Sequence, residues 1–401
     1  MELQRARNGH AHIHAGDRRL VHLRGVGDTS PLPFLVDWRW WNLKVWWRGR
    51  NPDLWGNAKG YNVHNQNMLE ACTRLGLEFS EDPDSADVCF QIAVPPSFEP
   101  VPGKPNILFT MYEMDTIPHS WIAPIQQADM IIVPCRHNVA LFKRHFDGPV
   151  EVCQEGIDPN KFKYIERHFP GPDELFTFLW LGATNPRKGH ELVEIAWDMW
   201  TKIAPPNVVN HTRLYLKTQR SDSEGSKEEM IFPINGMKSL LPRFGARVVF
   251  DNRRVSDEEM MRIYSDAHAF ILPSFGEGWG LTLCEAQATG APCIYTPWSG
   301  PQDFMKPTFG YPLEYTLEEQ KSIAVNKETG KRYTEHVGKA AMADVGSIVN
   351  HMAAIYQNYD TALRKGRMGS SYMHRKFTWD IAGQRLIDIF NKRYGGGEHG
   401  N

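Results

Sequence analysis

The sequence is short of several things that would settle its class at once. It has six cysteines in 401 residues, at positions 72, 89, 135, 153, 284 and 293, and none forms a C-x-x-C pair or a Cys/His zinc spacing. A disulfide-framed secreted domain or a zinc module is therefore a poor fit, and reduced thiols in a cytosolic protein are the expectation. No apolar run approaches the length of a membrane span. The opening MELQRARNGHAHIHAGDRR lacks the apolar stretch of a secretory signal. Net charge is −2, so no global basic field advertises nucleic acid, and such a partner would need a local patch. No repeat of short period is present.

What is there reads as an α/β protein. The length favours two domains over one core. The first set of strands is read at Leu43–Trp47, Ala86–Ala93, Asn106–Met111, Met130–Val133 and Pro149–Cys153, with a Gly/Asn-rich loop at Asn51–His64 and a helix at Asn65–Leu77. Phe169-Pro170-Gly171-Pro172-Asp173 breaks both periodicities and reads as a linker. The pattern restarts with strands at Phe176–Leu181, Arg213–Lys217, Arg247–Phe250, Ala269–Leu272 and Pro292–Tyr295, and a helix at His190–Trp200. Ser256-Asp257-Glu258-Glu259 reads as a capping box opening a helix. Val345–Tyr394 is helical by periodicity. This alternation predicts two doubly wound domains with parallel sheets. The divisions are 1–168 (with 1–42 a basic lead-in), 169–370, and a C-terminal helix and tail at 371–401.

The chemistry concentrates in Ser274-Phe275-Gly276-Glu277-Gly278-Trp279-Gly280-Leu281-Thr282-Leu283-Cys284-Glu285. A buried strand precedes it and a helix starts at Leu281. Strand, glycine loop and helix in that order aim free backbone N–H groups and a helix dipole at an anion. Glu277 and Glu285 beside an anion site are poor phosphate ligands but good acceptors for sugar hydroxyls, so the segment points to a nucleotide sugar. Lys188, beside Gly189 after a strand end, is placed to neutralise phosphate.

Four segments together resemble the family-4 retaining glycosyltransferases of the GT-B fold: Gly156-Ile157-Asp158-Pro159-Asn160-Lys161-Phe162, Arg187-Lys188-Gly189, Pro273 to Glu285, and Thr296-Pro297-Trp298-Ser299-Gly300-Pro301. The resemblance implies two tandem Rossmann-like domains with a cleft between them and a C-terminal helix returning to the first. It implies that Glu277 accepts hydrogen bonds from the donor sugar and Glu285 from the ribose. The N–H groups of Gly278, Trp279, Gly280, Leu281 and Thr282 would hold sugar and diphosphate, and Lys188 would stabilise the leaving diphosphate. The family's arginine five residues before that lysine is Ala183 here, with Arg187 or Lys217 as candidate substitutes. No cofactor or metal is implied beyond the donor, a nucleotide-diphosphate sugar with a UDP-sugar favoured.

The acceptor side is less defined. Where the family often has a histidine, Met111-Tyr112-Glu113-Met114-Asp115 offers Glu113, chosen as the third catalytic candidate against a plain solvated carboxylate. Gly56-Asn57-Ala58-Lys59-Gly60-Tyr61 is either a plain turn or an acceptor-side glycine loop, so Gly60 and Tyr61 are candidates. Asp82-Pro83-Asp84 spells D-x-D but reads as a solvated turn. His10, His12 and His14 read as a polar hairpin face, since nothing completes a metal set. Trp38, Trp40, Trp41, Trp46, Trp47 and Trp55 lie among Arg39, Lys44, Arg48 and Arg50, and core packing accounts for most of them. The Asn51–Tyr61 loop and the Phe109-Thr110-Met111-Tyr112-Glu113 segment look like family members encoded by phages, some of which sugar-coat hydroxymethylated bases in DNA. DNA is therefore a possible acceptor, with Arg48 on that side, and a glycan, lipid-linked sugar or small molecule shares the field. Location would be cytoplasmic, in the host if phage-encoded. A catalytically silent sugar-nucleotide binding protein is the rival reading.

Overall fold

The continuous apolar runs become the centres of two sheets. The computed structural model describes residues 43–50, 59–218, 227–230, 247–325 and 332–395. The expectations for the histidine trio, for Trp38 to Trp41, for Trp55 and Gly56, and for the glycine-rich tail lie outside the described residues.

The first sheet is all parallel, in the order β2-β1-β3-β4-β5-β6. Its strands are β1 (Lys44–Trp47), β2 (Glu78–Phe79), β3 (Val88–Ile92), β4 (Asn106–Phe109), β5 (Met130–Val133) and β6 (Val150–Val152). The second runs β13-β12-β11-β7-β8-β10-β9, parallel except where β9 pairs antiparallel with β10. Its strands are β7 (Phe176–Leu181), β8 (Thr212–Lys217), β9 (Lys227–Met230), β10 (Arg247–Asp251), β11 (Ala269–Leu272), β12 (Cys293–Tyr295) and β13 (Tyr311–Pro312). A hairpin, β14 (Tyr315–Val325) with β15 (Arg332–Ala343), had no counterpart in the sequence reading.

The helices are α1 (Lys59–Arg74), α2 (Ile122–Ile125), α3 (Arg136–Phe142), α4 (His190–Ile203), α5 (Pro206–Asn210), α6 (Asp257–Ser265), α7 (Leu281–Ala288), α8 (Pro301–Phe304), α9 (Val345–Gln357), α10 (Tyr359–Lys376) and α11 (Trp379–Tyr394). Ser256 caps α6 as read, its side chain accepting from the Glu259 N–H at 3.2 Å. One boundary is corrected: α1 starts at Lys59, not Asn65, so Gly60 and Tyr61 sit in a helical first turn rather than a loop.

Both faces of the first sheet are buried, which explains its unbroken apolar strands. Ile107 and Phe109 of β4 face one core with Trp47, Met68, Trp379 and Phe390, while Leu108 faces another with Tyr112, Ile131 and Phe142. α11 closes the first of these cores against α1. Burying Leu386 and Phe390 there is worth roughly 1.5–3 kcal/mol each. Gly383 permits the approach, since a Cβ there would lie 3.1 Å from the Ala71 Cβ. The chain crosses between the sheets twice, side by side. The Ile157 N–H donates to the Phe377 carbonyl at 2.8 Å, and the Trp379 N–H to the Ile157 carbonyl at 3.2 Å. Both sheets belong to one compact unit.

Candidate active site

In a doubly wound sheet the crevice opens where strand order reverses, at the carboxyl ends of the strands. In the second sheet β7 lies between β8 and β11, so the reversal falls between β7 and β11. The loop after β7 carries Arg187 and Lys188, and the loop after β11 carries Glu277. Topology therefore brings the predicted lysine and glutamate together.

The Lys188 Nζ donates to both Glu277 carboxylate oxygens, at 2.8 and 2.7 Å. The Arg187 guanidinium reaches the Gly276 carbonyl and, at 3.5 Å, Glu277 Oε2. It also pairs with Glu113 Oε1 at 3.2 Å. Glu277 is 3% exposed. Burial pushes its carboxyl up, but Lys188 and Arg187 overcome that and hold it below the usual range. Burial likewise opposes the charge on Arg187, and Glu113 and Glu277 restore it. Two cations and two carboxylates thus form one cluster, and Arg187 occupies it where Ala183 cannot.

The Glu277 loop is knotted from behind. The Glu277 N–H donates to Ser299 Oγ at 3.0 Å, and that hydroxyl donates to the Glu277 carbonyl at 2.8 Å. Ser299 has φ 54°, a left-handed conformation that costs a non-glycine residue about 1–3 kcal/mol and clusters at functional sites. The sequence placed Ser299 in the Thr296–Pro301 turn but gave no sign that it pairs with the Glu277 backbone.

The glycines of the loop serve a contact as well as an anion. A Cβ at Gly276 would lie 2.6 Å from the Glu113 carbonyl oxygen, and one at Gly278 would lie 2.3 Å from Met111 Sδ. The first-domain segment Met111 to Glu113 rests directly on them. Trp298 reinforces the contact, its indole N–H donating to the Glu113 carbonyl at 3.0 Å. Gly280 is the αL cap of α7, at φ 113°. The N–H groups of Gly280, Leu281 and Thr282 have no protein acceptor among the described residues, and the Thr282 hydroxyl is buried without a partner. Trp279 is buried against Phe304, so its side chain supports the loop from within.

Glu285 lies one turn into α7 and accepts from the Tyr264 hydroxyl at 2.7 Å. Burial raises its carboxyl to about 7 against the pull of that hydroxyl. Tyr264 is thus a neighbour the sequence did not flag.

Other expectations need revision. Lys217 is 2% exposed, and its ammonium donates to the carbonyls of Thr218, Asp251 and Arg253 and faces Asp251 Oδ1 at 3.6 Å. These partners consume its charge, and none belongs to the Lys188–Glu277 cluster. Tyr61 packs over the end of β4, its hydroxyl near Thr110 Oγ1 at 3.5 Å and donating to the Met111 carbonyl at 3.3 Å. Gly60 has open space where a Cβ would stand, so no close approach requires a glycine there. Arg48 pairs with Glu99, and Arg50 with Glu81 at 3.2 Å. Trp47 is buried and donates to Asn65 Oδ1, while Trp46 on the other face is half-buried. The alternation stops there, because Arg48–Arg50 form a 3₁₀ turn. Asp82 closes a turn on Ser85, as read for D-x-D. Among the described residues no group of three or more His, Cys, Asp or Glu is arranged to hold a metal. No helix among them is long and apolar enough to cross a membrane.

Comparison with known proteins fits this geometry. Residues 177–318 match the family model described as "Glycosyl transferases group 1". Sucrose-phosphate synthase from Thermosynechococcus elongatus aligns with TM-score 0.55 and 15% identity, over 84% of this chain and 80% of its own. WaaG, a glycosyltransferase involved in lipopolysaccharide biosynthesis, aligns with TM-score 0.56 and 11% identity over 88% of this chain and 100% of its own. Anabaena HepE, solved with UDP and glucose, aligns with TM-score 0.57 and 11% identity over 87% and 100%. No curated protein sequence matches the chain. The fold is GT-B, and the matched segment spans β7 to β14. Fold and family match together support glycosyl transfer.

Proposed function

We propose that the protein is a retaining glycosyltransferase that moves a sugar from a nucleotide-diphosphate donor to an acceptor hydroxyl, without a metal ion. The observation that carries this reading is the Lys188–Glu277 pair at the strand-order reversal, beside the unpartnered N–H groups that open α7. The diphosphate meets those N–H groups and Lys188, which stabilise it as it departs. Glu277 accepts from the sugar hydroxyls and Glu285 from the ribose. The bond between the sugar's anomeric carbon and the diphosphate oxygen breaks, and the electron pair leaves with the diphosphate. The acceptor oxygen attacks from the same face and passes its proton to the departing phosphate oxygen. The protein supplies orientation and electrostatics.

Arg187 stands in for the arginine missing at Ala183, and Glu113 brings the first domain to the donor. A UDP-sugar is the first donor to test, since the HepE structure holds UDP and glucose. The acceptor is a sugar or another small hydroxyl compound. DNA gains no support from the described residues, where Arg48 and Arg50 are already paired.

The test is donor turnover. The protein is incubated with a panel of nucleotide sugars in excess EDTA, and released nucleotide diphosphate is measured beside a Lys188→Ala control. Release by the parent and not by the control supports the reading. Tight nucleotide binding without release from any donor would establish the catalytically silent alternative, and restoration by Mg²⁺ alone would overturn metal independence.

A further inference from the structure

The β14–β15 hairpin leaves the second domain, yet one of its residues lies in the core of the first. Val337 is 8% exposed and packs with Leu108, Tyr112, Ile117 and Phe142. A register shift puts it there. Gln320 pairs with Gly338 and Lys321 with His336, so Val337 is the extra residue of a bulge. Its carbonyl accepts from the Tyr112 hydroxyl at 3.0 Å.

The neighbouring backbone grips the Glu113 loop. The Asp115 N–H donates to the Lys339 carbonyl at 3.2 Å, and the Lys339 N–H donates to Asp115 Oδ1 at 2.6 Å. Gly338 has φ +94°, and a Cβ there would lie 2.7 Å from Asp115 Oδ1 and 2.8 Å from the Thr116 nitrogen. Two residues further on, the Ala341 N–H donates to the Phe275 carbonyl at 2.8 Å. One short stretch of β15 therefore binds the loop after β4 and the donor loop after β11.

We propose that Val337, Gly338 and Asp115 are positioning residues: the hairpin is a strap that holds the Met111–Asp115 loop, and with it Glu113, against the Gly276–Glu277 loop. The effect on turnover rests on the glycosyltransferase reading, whereas the effect on the loop rests on geometry alone. None of the three needs to touch substrate. The strap fixes where Glu113 meets Arg187, and so where the acceptor side meets the donor.

Hydrogen exchange on the full-length chain tests this. In Asp115→Ala and Gly338→Val, amides of residues 111–116 should exchange about tenfold faster or more, while those of β11 stay protected and report an intact fold. In the same variants kcat should fall about tenfold with donor KM within about twofold of the parent. Asp115→Asn, whose amide oxygen accepts the same N–H, should restore most of both. Unchanged exchange at 111–116 in both variants would overturn the strap. A loosened loop with parental kcat would overturn its positioning role. If the parent itself releases no nucleotide diphosphate from any donor, the function is wrong and the exchange result alone decides the strap.

Discussion

Lys188 spends its ammonium on both oxygens of Glu277. A lysine so engaged is not idle charge waiting for phosphate. On the proposed reading a donor would draw it away from Glu277 or share it, and the carboxylate released would be the one to receive the sugar. Removing the carboxylate charge therefore helps the diphosphate and harms the chemistry. Glu277→Gln should bind nucleotide diphosphate as well as the parent or several-fold tighter, while turnover falls about 100-fold or more. Calorimetry and a release assay read the two effects. A Gln variant with weakened nucleotide binding would contradict this view of the pair.

Lys188→Ala tests the same pair from the other side. It strands a buried carboxylate, a loss on the order of 3 kcal/mol, eased by Arg187 at 3.5 Å. A lowered melting temperature with lost nucleotide affinity is the expected pattern. In Lys188→Ala/Glu277→Gln much of the stability should return and the turnover should not. A double variant no more stable than Lys188→Ala would contradict the stranded charge.

Glu285 gives a pH signature. Its pKa in the fold, about 7, lies above the ordinary 4.5. A raised pKa means the group favours the fold fully below about pH 4.5, and that contribution is lost as pH rises through about 7. Glu285→Gln removes the titration. The melting temperature of the variant relative to the parent should rise between about pH 5 and about pH 8. A constant difference over that range would argue against the raised carboxyl. If Glu285 holds the ribose as proposed, nucleotide diphosphate should bind Glu285→Ala about tenfold or more weakly.

The contact between the loops predicts an effect at Gly276. Gly276→Ala adds a methyl 2.6 Å from the Glu113 carbonyl oxygen, which is backbone and cannot swing aside. Nucleotide affinity should hold within about threefold, while transfer falls about tenfold as the loops part. Unaltered transfer would show that closure of these loops is not needed for reaction.

Arg48 and Arg50 are each committed to a glutamate, so neutralising them should cost the reaction little. The double alanine variant should keep turnover within about twofold, because exposed pairs contribute about 0–1 kcal/mol. A steep, salt-dependent loss of DNA binding in that variant would reopen the nucleic-acid acceptor.

How much of this was legible depends on what each residue type reveals. Phe176–Leu181 and Ala269–Leu272 were bounded correctly and α7 starts at Leu281 as read, because unbroken apolar runs and a glycine cap have few alternatives. The start of α1 was missed because Gly60 and Asn62 continue the Gly/Asn-rich stretch before it, so residues 59–64 read as loop. Packing of His64 against Phe109 and Trp379 outweighs that local preference. Lys188 and Glu277 were legible from their positions after two strands. Lys217 was read beside Arg187 as a substitute for the arginine missing at Ala183, but sequence cannot show that Thr218, Asp251 and Arg253 turn their carbonyls onto it. The β14–β15 hairpin escaped notice because its charged residues fit neither period cleanly, and its bulge depends on a partner domain far away in the chain.

Retention and the role of Lys188 are tested most directly by the configuration of the first sugar released. Proton NMR during hydrolysis of an α-linked nucleotide sugar resolves the anomers before they equilibrate. With retention, the α-anomer should appear first in the parent and no sugar should appear in the Lys188→Ala variant. Initial release of the β-anomer, or release undiminished without Lys188, would contradict this reading.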